Sequence, residues 1–349
     1  MDVDTNQSWE DLVVSPDKVL QRIKPGMSIF IGTGPAEPRT MVQALCASEA
    51  YNLQDLELIQ LVSVGDAISS QQSRYPRYRL KTFFSGWIAH DAITSGRVDL
   101  IPARFEQIPF LIESRQIPID VAFVQITPPN EAGYSSLGVS VDVARLAMEQ
   151  ASLAVGEINT QIPVTFGDTF VPISEFDMLV RSTEIPIYLP PWPRDPIFDE
   201  VAKNIASVIE DGSCLAFSIG TLFEHLGDHL VHKRNLGIHT PFFSDNLMRL
   251  MKSGAVTNRK KEIYRGVSVT SYAFGSPELF DWLDRNPLVE FQGIDKVFNP
   301  LQIGRNRNFV GLVMARKVDL SGRVTMHVGE KGMVAGLAQA TAAINGASI

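Results

Sequence analysis

The side chains best suited to covalent or acid–base chemistry near turns of this chain are Glu37, Cys214, Ser218, His239 and Asp245. An imidazole exchanges a proton near neutral pH, and a carboxylate beside it fixes one tautomer, so His239 with Asp245 reads as a general base and its orienting partner. The same two residues read equally as flanks of a strand-to-helix turn. Glu37 follows a strand and precedes a helix; it is either an acid favoured by the helix dipole or a carboxylate facing a cleft. Cys214 lies in an apolar run and reads as core, where a thiol behaves as a small hydrophobe. Ser218 sits at a turn that needs small residues on steric grounds, with or without a nucleophilic task. Lys260 and Lys261, and Arg305 and Arg307, read as solvated surface before they read as phosphate ligands.

Three turns place these groups. Gly32-Thr33-Gly34-Pro35-Ala36-Glu37-Pro38 joins a strand to a helix, where backbone N–H groups at a helix start can cradle an anion through Gly32 and Gly34. Pro35 and Pro38 spoil a dinucleotide fingerprint there, and no clean GxGxxG with a following acid occurs elsewhere. Pro128-Pro129-Asn130-Glu131-Ala132-Gly133-Tyr134-Ser135-Ser136-Leu137-Gly138 is the second. Paired prolines fix the backbone and remove two donors, while Gly133 and Gly138 permit close approach of a ligand or another segment. The third, Ser218-Ile219-Gly220, repeats the strand, small-residue turn, helix plan of the first.

The elements that must hold these turns alternate between strand and helix. Ser15 and Pro16 start a short helix to Ile23. Strands are expected over Ser28–Ile31, 56–62, 80–84, Val121–Ile126 and 153–159, and helices over Arg39–Ala47, 89–95 and 141–150. Buried apolar strands alternating with helices predict an α/β protein of two doubly wound, mostly parallel sheets. Pro186, Pro190, Pro191 and Pro193 make an extended linker, which sets domains at 1–187 and 188–349. The second half restarts with a helix over 197–208, a strand over 214–217 and a helix over 218–226. Ligand clefts of such sheets lie at strand C-terminal ends, so 32–38, 127–138 and 239–245 are expected to face one cleft.

At 349 residues the chain is long enough for two cores. A 45% hydrophobic and 20% charged composition is that of a globular protein, and a net charge of −8 with no basic block argues against nucleic acid and anionic membrane as partners. No apolar run reaches the roughly 20 residues of a membrane span. Two separated cysteines, Cys46 and Cys214, support neither a disulfide framework nor a metal site, and no permanently bound cofactor is expected. Residues 1–16 are polar and acidic, unlike a secretion signal, so the cytoplasm is the expected compartment.

Residues 126–138 resemble the SPPDxxGYxSLG segment of family I coenzyme A transferases, in the branch of 4-hydroxybutyrate CoA-transferases and acetyl-CoA hydrolase/transferases. The likeness runs in ordered motifs from about residue 23 to 347. Glu37-Pro38 fits the family's GxxxxEP at the cleft; Glu157, Asn159, Pro163, Thr165, Gly167 and Asp168 fit AEVNxxMPRTxGDS; Asn286 to Glu290 fits NPxVE. The resemblance implies a CoA thioester as substrate, with Gly32, Gly34, Pro128, Pro129, Gly133, Tyr134, Ser136, Gly138, Ser218, Gly220 and Gly336 lining its site. It also implies a glutamate that attacks the thioester, giving an acyl anhydride and then a glutamyl-CoA thioester.

Here the sequence departs from the pattern. The family's HTEMFSDG reads His239-Thr240-Pro241-Phe242-Phe243-Ser244-Asp245-Asn246, and proline carries no nucleophile. The family's FSGIGGQVDFxxGA reads 334–347 here, keeping Gly336 and Gly346 but replacing the paired glycines by Ala338 and Gln339, and the chain ends at Ile349. A second domain that reads as shortened would leave a sheet edge open, so association with a like chain or a CoA-transferase-like companion is expected. The functional expectation is chemistry on an acyl-CoA or carrier-bound acyl group without a glutamyl-CoA intermediate. A non-catalytic subunit of a heteromeric enzyme and a conventional acyl-CoA:carboxylate CoA-transferase are the alternatives.

Overall fold

The computed structural model describes residues 9–69, 77–84, 89–315, 317–326, 328–329, 332–333 and 338–349. Among the described residues its first half carries ten strands: β1 Ser28–Ile31, β2 Leu56–Gln60, β3 Tyr78–Thr82, β4 Val98–Leu100, β5 Val121–Ile126, β6 Tyr134–Ser136, β7 Leu153–Ile158, β8 Phe166–Gly167, β9 Phe170–Pro172 and β10 Met178–Arg181. Seven of them form one parallel sheet in the order β10-β7-β5-β1-β2-β3-β4. Every residue of β1, β5 and β7 is buried, as strands covered by helices on both faces must be. Helices Arg39–Ala47 and Ala144–Gln150 provide part of that cover. The order reverses between the strand leading to the Gly32 turn and the strand leading to the Pro-Pro loop, because β1 and β5 are neighbours. Both turns therefore leave the same end of the sheet.

The second half carries β11 Cys214–Ala216, β12 Gly237–Ile238, β13 Phe242–Ser244, β14 Ser268–Thr270, β15 Tyr272–Phe274, β16 Val289–Phe291 and β17 Phe309–Gly311. All their mutual pairings are parallel, but the sheet is broken into short pieces. The breaks fall at 239–241 and at Ser271, between β12 and β13 and between β14 and β15. Pro241 has no N–H to give to a ladder, and its carbonyl accepts from Ser271 N, Tyr272 N and the Thr270 hydroxyl instead. Thr240 patches the gap from the other side, exchanging bonds with Phe217 through its hydroxyl. A parallel bridge between His239 and Val269 keeps the two runs in step.

An edge strand of this second sheet comes from before the proline-rich linker. β8 pairs with β16 in parallel, and Gly167 is what lets it approach: at φ +106°, a Cβ there would lie 2.2 Å from the Phe291 carbonyl oxygen. Segment 139–141 likewise crosses over, bonding to Ser271 and Ala273. Two segments that precede the 185–193 linker thus pair with strands that follow it. Expected elements recur with shifted ends. The second glycine turn opens its helix three residues later than expected, at Thr221–Leu230, and the first helix is a single turn and a half, Pro16–Leu20. No described helix is long and apolar enough to cross a membrane.

Candidate functional site

The Gly32 turn is closed on its own neighbours. Gly32 N donates to Phe123 O and Gly34 N to Val62 O, and the tip of the Phe274 ring comes so close to Gly34, at φ +59°, that a Cβ would sit 2.9 Å from Phe274 Cζ. Glu37 is fully buried at the foot of this turn. Gln60 Nε2 donates to its Oε2 at 2.9 Å, and Asp66 N and Ala67 N donate to its carboxyl from the start of helix Asp66–Ser69. Burial pushes its acid up to about 7, against the lowering pull of the Gln60 amide. Gly65 is obligatory beside it, since a Cβ would fall 2.5 Å from Glu37 Oε1. Glu157 repeats the device: Thr40 N and Met41 N donate to it from the start of helix Arg39–Ala47, with the Ser182 hydroxyl. Both carboxylates have their lone pairs committed to backbone donors, which is a capping role.

The Pro-Pro loop is a self-contained arm. Asn130 Oδ1 accepts from Ala132 N and Tyr134 N, Asn130 N donates to Tyr134 O, and Thr127 N to Ser136 O. Gly133, at φ +76°, closes the turn, and Gly133 O accepts from Ile173 N. Pro128 and Tyr134 are exposed, whereas Ser136 and Gly138 are buried and tied to Thr165, whose hydroxyl donates to Gly138 O at 2.6 Å. The loop therefore runs from a solvent-facing tip to a buried base.

His239 and Pro241 share a narrow space of about 20 Å³ with Phe217, Val297, Phe298 and Ala342. Among the described residues that line it there is no carboxylate. His239 Nε2 lies 3.1 Å from Val297 O, and a carbonyl can only accept, so Nε2 carries the proton and Nδ1 is the free lone pair; Nδ1 is buried without a partner. Burial, then the nearby Lys261 ammonium, hold the ring neutral down to about 3. Lys261 corrects the reading of that residue as solvated: its Nζ is buried and donates to Ile238 O and Val267 O, and burial pulls its pKa down to about 8. Cys214 is core as expected, its thiol pushed up to about 12 by burial.

Ser218, Gly220 and Asp245 line a second, smaller space, roofed by Leu189, Pro190, Pro191 and Trp192 of the linker. Leu189 N donates to Gly275 O and fastens that strap. Asp245 accepts from Ser276 N and the Ser276 hydroxyl, joining the starts of helices Asp245–Lys252 and Pro277–Leu283. His239 and Asp245 thus lie in different spaces with different partners, and the structure does not pair them as base and orienting acid. Gly336 lies outside the described residues.

One buried group escaped the sequence reading. Thr33, Ser140, Asp142 and Tyr272 are each buried with a polar side-chain atom left unpartnered. A backbone at φ +31° marks Asp142 in space, but nothing in the local sequence signals it, because the cluster forms only when 33, 140–142 and 272 are brought together by tertiary pairing.

Residues 2–190 match the family model of the acetyl-CoA hydrolase/transferase N-terminal domain, and residues 275–349 that of the C-terminal domain. The 4-hydroxybutyrate coenzyme A transferase of Clostridium kluyveri is 33% identical over 320 residues, covering 90% of this chain and 74% of that one. The succinyl-CoA:acetate/propanoyl-CoA:succinate CoA transferase of Fasciola hepatica is 30% identical, covering 88% and 65%. The chain thus spans roughly two thirds to three quarters of the length of these curated relatives. The crystal structure of RipA from Yersinia pestis superimposes with a TM-score of 0.90 at 25% identity, covering 99% of this chain and 80% of that one.

Proposed function

This chain belongs to the acetyl-CoA hydrolase/transferase family of CoA transferases, and from that premise we propose that it binds an acyl-CoA thioester and handles the acyl group without a glutamyl-CoA intermediate. The observation that carries the reading is the composition of the space around Pro241. A carboxylate nucleophile must lie within about 3–3.5 Å of the thioester carbon. Position 241 has none; among the described residues the space around it is walled by apolar side chains, and the one polar side chain there is a neutral imidazole with an unpartnered Nδ1. Glu37 is no substitute, since releasing it strands Gln60 Nε2 and two backbone donors at a helix start. Without a protein carboxylate, transfer of CoA to a free acid loses its covalent relay, and the acyl group goes to water or to another acceptor brought to the same place.

The test is calorimetric titration with acetyl-CoA beside an exchange assay that follows labelled acetate into acetyl-CoA. Binding without exchange is expected; exchange at rates of ordinary CoA-transferases would overturn the reading. A second reading, a non-catalytic subunit beside a CoA-transferase-like companion, is favoured by one observation. β17 lies at the edge of its sheet among the described residues, and Val313, Met314, Val318 and Leu320 beyond it are exposed. Light scattering showing a monodisperse monomer at micromolar concentration would count against it.

A further inference from the structure

We propose that the acyl group admitted beside Pro241 is short and uncharged, an acetyl or propanoyl group, and that Ala216, Phe298 and Ile303 set this limit by closing the space that receives it. The inference rests on the reading that the thioester docks at Pro241, and it adds which thioesters can do so. A space of about 20 Å³ stands little above the roughly 10–15 Å³ that one water molecule requires. Beyond the thioester carbon it therefore takes a methyl or an ethyl group and is then full.

The walls have no room to retreat. Ile303 ends the helix Pro300–Ile303 and is backed by Gly346 of the helix Ala338–Ala347, where a Cβ would fall 2.3 Å from Ile303 Cγ2. Ala343, about one turn earlier on that helix, is pressed on Gly311 of β17, where a Cβ would lie 3.0 Å from the Ala343 Cβ. Phe298 stands edge-on to Phe105 with ring centroids 4.8 Å apart, and the Val297 carbonyl before it is held by His239 Nε2. Ala216 is paired to Gly311 within the sheet and cannot move without it. Every described residue that lines the space is buried except Leu312 and Val313, so the way in lies at that end and the far end is closed. A further methylene forced into so close a packing displaces side chains that are themselves backed by backbone.

The same walls exclude charge. Among the described lining residues none is cationic. Lys261, whose ammonium acts on the His239 ring, is spent on Ile238 O and Val267 O and stands 5.9 Å over the Tyr264 ring. A carboxylate carried on the acyl chain would be buried with no partner, the costliest form of burial.

Calorimetric titration of the intact chain with CoA, acetyl-CoA, propanoyl-CoA, butanoyl-CoA and succinyl-CoA reads the limit. Acetyl-CoA and propanoyl-CoA are expected to bind alike, butanoyl-CoA at least about tenfold more weakly, and succinyl-CoA more weakly again. Ile303→Ala, which removes the floor, should recover about tenfold in butanoyl-CoA affinity with CoA itself unchanged. Ala216→Val keeps the floor and fills the space from the strand side, so it should weaken acetyl-CoA about tenfold and leave CoA unchanged. Equal affinity for the four thioesters, or a length preference that neither variant moves, would overturn the limit while leaving thioester binding in place. Failure of every thioester to bind would overturn both the limit and the reading on which it rests.

Discussion

Glu37 and His239 are both buried and both of a residue type that enzymes use for proton or acyl transfer, yet the structure treats them in opposite ways. Glu37 spends its two oxygens on Gln60 and on the first N–H groups of a helix, and its space is filled to the point that Gly65 admits no side chain. His239 spends one nitrogen on Val297 O and leaves the other without a partner, and the residue lines a space beside Pro241. The difference separates a carboxylate that holds the fold from an imidazole that the fold does not fully use. Burial alone, and a shifted pKa alone, are common to both, so neither identifies a reactive group.

The comparison predicts unequal costs. Glu37→Ala strands a buried amide donor and two backbone donors and opens a cavity, for an expected loss of about 4 kcal/mol in chemical denaturation. A loss under about 1 kcal/mol would mean that Glu37 is not the cap described here.

The next effect is on pH dependence. Glu37 is protonated below 4.5 in both states, and the folded state keeps its proton up to about 7, so its contribution to stability is full below 4.5 and lost as pH rises to 7. Within that window the slope reaches at most about 1.4 kcal/mol per pH unit, and Glu37→Gln is expected to flatten it. Identical slopes for the two proteins would contradict the buried acid.

His239 has the opposite sign. Its folded pKa is depressed to about 3, so its contribution is present above 6.5 and lost as pH falls from 6.5 toward 3. Its ring resonances should not titrate between about pH 5 and 8 by NMR, in contrast to a free imidazole. His239→Leu should cost roughly 1–2 kcal/mol, through the unpaired Val297 carbonyl. A titration midpoint near neutrality would mean that the space is wet and the imidazole available as a base.

The smallest expected effect is at the exposed tip of the Pro-Pro loop, where Pro128→Ala should change stability by no more than about 0.5 kcal/mol. The same variant separates structure from binding: weaker acyl-CoA affinity at unchanged stability would put the tip in contact with ligand.

Much of the fold was legible in the residues. The apolar-rich run 121–126 announced a parallel strand buried on both faces, and the small-residue turns after 28–31 and 214–217 announced strand ends at which segments gather. The capping of Glu37 was half legible, as an acid before a helix, but the helix it caps begins at Asp66 and not at Arg39, a choice made by tertiary packing. Pro241 was visible as the loss of a nucleophile; that it also breaks a sheet was not, since the strand on either side is only two or three residues long. The pairing of β8 with β16 across the linker, the burial of Lys261, and the cluster at Asp142 depend on contacts between distant segments and leave no periodic trace.

If no protein carboxylate takes up CoA in this chain, hydride trapping will leave every carboxylate unmodified. The protein is incubated with acetyl-CoA, reduced with borohydride, digested and mapped by mass spectrometry, with Pro241→Glu treated in parallel. No reduced carboxylate is expected anywhere in the unaltered protein, and a modified residue is expected at 241 in the variant, where a glutamate returns to the space beside His239. A reduced glutamate or aspartate in the unaltered protein, at Glu37 or elsewhere, would contradict it.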